Sequence, residues 1–339
     1  MDISIWIEWV IKSAVLIFML LFGFAYVTYM ERKLLGRFQN RYGPNRAGPL
    51  GLLQPVADGL KLIFKEELVP AQADKFLFII APILATVPAL ILLGVIPFGG
   101  TVQIFGRQVD LSVAAGVNVG VLYLTSITSI SVYGIVLAGW SSNNKYATMG
   151  GIRSTAQMIS YELAMGLSFI GPVLLASSLS LAKIVDVQAI KGWFIIYQPI
   201  GFVVFMIVSL AEINRPPFDM PEAEQELAAG YHVEYSGMKF ALFMMTEYIK
   251  MIVISAIAVS LFLGGYLGPY VDRFPWLGPA YIFIKVLVLL FLIIWIRATL
   301  PRVRYDQLMA LGWKILLPIA LFNVFLTAVI IVLFPGWFM

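Results

Sequence analysis

The sequence has no cysteine and a single histidine, His232, among 339 residues. Thiolate ligation of iron–sulfur clusters is therefore excluded, and bis-histidine haem and His-rich metal sites are nearly excluded with it. Charge is scarce too: 12% of residues are charged against 60% hydrophobic, and the mean hydropathy is +0.90. Such a chain cannot hide its apolar surface from water, so lipid is the solvent for most of it. Also missing are a Walker loop, a dinucleotide fingerprint after a strand, a nucleophile elbow, an internal repeat and any sign of a nucleic-acid partner. Any electron chemistry must run on a bound small molecule or on a partner. The N-terminus, MDISIWIEWVIK, puts acids before its apolar run and offers no small-residue cleavage site, so it does not read as a removable signal.

What is present is a series of apolar runs. A bilayer core of roughly 30 Å takes about 20 apolar residues per helix. Eight windows qualify: about 10–30, 76–97, 113–139, 155–176, 194–212, 240–264, 279–299 and 314–334. They are continuously apolar and do not alternate, which favours helices over a barrel. The expectation is an all-α polytopic membrane protein, residues 1–339 forming one membrane domain. Loops after spans two, four and six hold four basic residues (Arg107, Lys183, Lys191 and Arg273), whereas the loops after the odd spans hold sixteen. The positive-inside rule puts the odd loops in the cytoplasm and both termini outside.

The first odd loop reads ERKLLGRFQNRYGPNRAGPLGLLQPVADGLKLIFKEE, Glu31 to Glu67. From Leu52 to Lys65 apolar and polar residues take opposite faces of a helix, with Asp58 and Lys61 on the polar face. An interfacial helix with its lysines on lipid phosphates explains part of this. It does not explain Asp58, nor the Gly/Pro-rich turn from Gly43 to Gly51, which is suited to positioning Arg41 and Arg46. Glu31 and Arg32 sit at the inner end of span one, where a charge pair can line a cavity mouth.

The third odd loop, AEINRPPFDMPEAEQELAAGYHVEYSG, gathers Glu212, Asp219, Glu222, Glu224, Glu226 and Glu234 around one Arg215. A capping box at Asp219 and Glu222, with Pro221 in the first turn and Gly230 as the stop, accounts for some of these acids. It leaves Glu226 and Glu212 unexplained. Glu162 and Glu247 lie about two turns into spans four and six, where an ionised carboxylate is costly. By the charge count all three of Glu162, Glu212 and Glu247 lie at similar depth beneath the loop. Burial and neighbouring like charge favour protonated carboxyls, so such a cluster can exchange protons near neutral pH. Alternatively, Lys250 neutralises Glu247 as a structural pair. His232 reads as structural, Lys285 as snorkelling to the outer face, and Gly150–Gly151 as part of a tight turn.

These motifs resemble the H subunit of NADH-quinone oxidoreductase, respiratory complex I, whose mitochondrial counterpart is NADH dehydrogenase subunit one. The matching stretches are ERK-LGR-Q-R-GPN--GP-GLLQP-ADG-KL--KE and E-NRPPFDMPEAE-EL-AGY--EYSG-KFALF---EY, with PR-RYDQLM-LGWK near the end. The resemblance runs over essentially the whole chain. It implies a quinone chamber (ubiquinone or menaquinone) walled by Glu31, Arg32, Arg41, Arg46, Asp58, Lys61, Arg215 and Phe218. It implies a proton path through Glu162, Glu212, Glu222, Glu224, Glu226 and Glu247. Arg297, Arg302, Arg304 and Asp306, otherwise plain positive-inside anchors, become docking residues for a soluble partner. NADH, FMN and iron–sulfur clusters would reside on peripheral-arm subunits, small membrane-arm subunits would be further partners, and the location would be a bacterial inner membrane or its mitochondrial equivalent. Two other readings stand beside it: a related subunit of a ferredoxin-linked or hydrogenase-type complex, and a self-contained ion transporter.

Overall fold

The computed structural model describes residues 3–104, 107–114, 116–219, 230–271 and 273–334. Among them, seven helices are long and apolar enough to cross a membrane. In chain order the main elements are α1 (Ile3–Phe38), α2 (Gln54–Ile63) and α3 (Lys75–Leu92). An antiparallel hairpin follows, β1 (Thr101–Ile104) and β2 (Arg107–Asp110), with Thr101 opposite Asp110. Then come α4 (Gly120–Ser141), α5 (Lys145–Ala176), α6 (Leu181–Lys191), α7 (Phe194–Tyr197) and α8 (Pro199–Glu212). The last three are α9 (Gly237–Phe262), α10 (Leu277–Thr299) and α11 (Tyr305–Leu333). A π segment, Leu311–Leu316, interrupts α11.

Three sequence expectations are corrected. The window 194–212 is not one continuous helix. Gln198 leaves the helical region, at φ −129° and ψ 51°, because the proline that follows it disfavours that region. So α7 and α8 are separate, and α8 has only 14 residues. That is about 21 Å of helix, short of a roughly 30 Å core. Gln198 turns its side chain to α11, accepting from Asn323 at 2.8 Å and donating to Thr327 at 2.6 Å. Second, Gly150–Gly151 lies inside α5, not in a turn. The glycines permit close approach: a Cβ on Gly150 would meet Gly230 Cα at 2.6 Å, and one on Gly151 would meet Gly139 Cα at 3.3 Å. Third, Lys285 does not snorkel. Its ammonium donates to the carbonyls of Leu263, Gly265 and Leu267 at 2.8, 2.9 and 2.8 Å, satisfying the chain just past the end of α9.

Helices α3 and α5 have their start signals in the sequence. Asp74 caps α3, accepting from the amides of Phe76 and Leu77, and Asn144 caps α5 through Tyr146. At 36 residues, α1 is about 54 Å long, so it outruns the bilayer and carries Glu31, Arg32 and Arg37 on its final turns. α5, α8 and α9 form the buried centre, where Phe205 packs on Phe169 and Phe262, each at 5.7 Å.

Candidate functional site

Where α8 ends and α9 begins, charged side chains are buried together. Glu212 is 2% exposed, Arg215 3%, and Glu247 and Lys250 5% each. Lys250 does not pair with Glu247, one turn away on the same helix. Its ammonium donates to Glu212 Oε1 at 3.4 Å, while Arg215 Nη2 lies 3.0 Å from Glu247 Oε2. Tyr231 donates to Glu247 Oε1 at 3.5 Å, and the Arg215 guanidinium sits 4.4 Å over the Tyr248 ring. Two crossed ion pairs thus join the end of α8 to α9. Glu212, Glu247 and Lys250 share a cavity of about 10 Å³ with Ser131, Thr246 and Tyr231, roughly the space one water occupies. Glu212 Oε2 has no hydrogen-bond partner among the described residues.

Glu162 lies within electrostatic range of Glu212. It is held from α4 by the hydroxyls of Ser129 and, at 3.4 Å, Thr128. Glu162, Glu212 and Glu247 therefore lie in one series of acids. Pro221, Glu222, Glu224 and Glu226 lie outside the described residues, so of the capping box only Asp219 falls within them. Gln157 on α5 fixes the last turn of α8 and the chain after it, donating to the carbonyls of Ala211 and Phe218 at 2.8 Å each and to Asn214 Oδ1 at 3.3 Å. A glutamine in an apolar span is its only sequence signal. Phe218 is buried 5.9 Å from Tyr161, whose hydroxyl donates to Leu308 at 2.8 Å. Arg215 and Phe218 are thus packed inside the protein and do not face open space. His232 is buried between Tyr231 and Phe240, in keeping with a structural role. Next to it Tyr235 stacks on Phe78 at 4.0 Å; burial pushes its phenol up to about 12, outweighing the opposing bond to Ser141.

A second group lies at the end of α1. Buried Glu31 pairs with Arg297 of α10, so Arg297 is engaged within the chain. Arg32 donates to Asp58 of α2, and Gln54 donates to the other oxygen of the same carboxylate at 3.0 Å. These bonds turn the polar face of α2 to α1 and leave its apolar face outward: Val56, Leu60, Ile63 and Phe64 are exposed, Phe64 at 85%. The glycine turn behaves as its composition suggests. A Cβ on Gly51, at φ +83°, would lie 2.2 Å from the Pro44 carbonyl. The turn folds back on α1 and leaves Arg41, Arg46 and Lys61 exposed. Arg41, Arg37 and Lys33 border a cleft of about 420 Å³. Arg302, Arg304 and Asp306 are exposed around the start of α11, and that loop is tied to the acid-bearing one by the Val303 amide donating to Pro217 at 3.1 Å.

Comparison with known proteins gives one consistent answer. A family model described as NADH dehydrogenase matches residues 11–328. One NADH-quinone oxidoreductase H subunit of Geobacter sulfurreducens is 53% identical over 336 residues, covering 96% of this chain and 95% of the relative. The H subunit of Thermomicrobium roseum is 50% identical over 325 residues, with 93% and 94% coverage. That of Protochlamydia amoebophila is 51% identical over 304 residues, with 90% and 91% coverage.

Proposed function

The chain belongs to the NADH dehydrogenase family, as the H subunit of NADH-quinone oxidoreductase, and on that premise we propose that its charged end walls a quinone chamber while its buried acids carry the consequences of quinone reduction into the membrane. As part of an oxidoreductase complex it works with the other subunits of that complex. The redox centres that deliver electrons from NADH, flavin and iron–sulfur clusters, belong to those partners, and the assembly sits in a bacterial inner membrane with the odd loops facing the cytoplasm.

The quinone has an apolar tail and a polar head, and the end of α1 offers both surfaces. The outward apolar face of α2 suits the tail. Arg32, Asp58 and the Glu31–Arg297 pair supply charge and hydrogen bonds for the head. The observation that carries the proton-path reading is the cavity bounded by Glu212, Glu247 and Lys250. Three ionisable side chains, two of them carboxylates in crossed pairs with cations, face a space for about one water. A proton arriving there can reside on either carboxylate by changing which cation pair is kept. Quinone reduction adds electrons ahead of the balancing protons. The resulting negative charge raises the proton affinity of nearby acids and so couples the two sites. Glu162, held by Ser129 and Thr128, extends the series away from Glu212. Glu222, Glu224 and Glu226 belong to the proposed path as well.

The test is to place Glu212→Gln and Glu247→Gln separately in the intact complex and measure NADH-driven proton translocation in vesicles. Each variant takes the carboxylate from a buried ion pair, so the amount of assembled complex is first measured as NADH oxidation with an artificial acceptor; per assembled complex, coupled quinone turnover should be lost. Unchanged coupled turnover removes that residue from the path.

A further inference from the structure

At the membrane face opposite the acid cluster, a cavity of about 840 Å³ opens between the first half of α1, the end of α3, the chain after β2 and the start of α10. Its size is that of a ligand site, about 300–1,000 Å³. The walls are apolar. Ile7, Ile11, Val15 and Met19 form one stripe along α1, with Leu93 and Phe98 also lining the space. From Ile7 to Met19 the stripe runs about 18 Å, close to the depth of one leaflet, half of a roughly 30 Å core. Exposed Trp6 and Trp9, edge to face at 5.8 Å, and Trp276 at the cavity mark the headgroup level of the bilayer.

Charge is confined to the mouth. Lys12 Nζ lies 2.6 Å from Glu8 Oε1, its side chain only 16% exposed. Asp110, at the end of β2, also lines the cavity and accepts the Ser112 amide at 3.0 Å. The mouth therefore sets two carboxylates against one ammonium.

We infer that this cavity binds an acyl chain of a phospholipid whose zwitterionic, amine-bearing headgroup is recognised by Glu8, Lys12 and Asp110. The one-leaflet depth of the stripe selects a hydrocarbon chain anchored at the headgroup level. The charges select the head: a lipid ammonium meets the carboxylates while its phosphate meets Lys12. A purely anionic head would face an excess of negative charge. This site stands apart from the proposed quinone chamber and does not depend on it.

The test uses the intact complex in bilayers containing a phosphatidylethanolamine that carries a photoactivatable group near the end of one acyl chain. Phosphatidylglycerol with the same chain serves as comparison, and adducts are mapped by peptide mass spectrometry. Phosphatidylethanolamine should label residues 11–19 in preference to phosphatidylglycerol. Val15→Trp, which fills the slot, should lower that labelling about tenfold. Glu8→Gln with Asp110→Asn, on the surface and tolerant of change, should shift the preference toward phosphatidylglycerol by about two- to fivefold. Three results would each overturn the inference: no adducts within 11–19, because another polypeptide covers the cavity; equal labelling by both lipids; or a preference unmoved by the double variant.

Discussion

Replacing Lys250 by Met leaves the Glu212 carboxylate buried with its cation gone. At 3.4 Å and an effective dielectric near 20, the lost attraction is about 5 kcal/mol. Measured losses on breaking buried pairs are similar, about 3–5 kcal/mol. Because both side chains are almost wholly buried, at 6% and 2% exposure, solvent screening does not discount this much. The expected outcome is poor recovery of assembled complex and fast thermal inactivation. Removing both charges, Glu212→Gln with Lys250→Met, leaves no ion unpaired and should restore assembly to within about 1 kcal/mol. The two roles of Glu212 then separate. If it serves only as half of an ion pair, the double variant recovers coupled turnover together with stability. If it carries a proton, the double variant recovers stability and remains uncoupled. The assay is proton translocation per NADH oxidised in vesicles, beside the half-life of NADH oxidation at raised temperature. Coupled turnover restored in the double variant would refute the proton-carrying role, and a Lys250→Met complex as stable as the parent would refute the energetics.

Arg32→Ala removes a half-exposed pair with Asp58, which contributes about 0–1 kcal/mol to stability; it should raise the KM for quinone while leaving NADH oxidation by an artificial acceptor intact, and equal loss in both assays would indicate failed assembly. Gly150→Ala forces a Cβ to within 2.6 Å of Gly230 Cα, so the turn that closes the acidic loop must shift, at about 1–3 kcal/mol, read as a shortened thermal half-life. Gly59→Ala on α2, where a Cβ meets nothing within 4 Å, is the control and should be neutral or stabilising by up to about 1 kcal/mol.

Much of this protein is legible in one dimension. Bilayer thickness imposes a length on each apolar run, so most spans and the amphipathic α2 follow from composition and period. The rarity of charge makes Glu162, Glu212 and Glu247 conspicuous, because a carboxylate in an apolar run always needs a reason. Partnership is different. Lys250 follows Glu247 by three positions, and helical spacing makes them natural neighbours, yet Lys250 reaches Glu212 while Glu247 takes Arg215. The choice depends on how α8 and α9 cross, and no local pattern encodes that crossing. The same holds for Gln157, whose bonds reach the chain more than fifty residues away. The break at Gln198 is different, because the proline after it is a local signal; only the partners that Gln198 finds on α11 depend on packing. Residue type and period set which groups must be buried; only the packing of helices distant in sequence sets which of them meet, because burial energy depends on area while ion pairs and hydrogen bonds depend on ångström-scale placement.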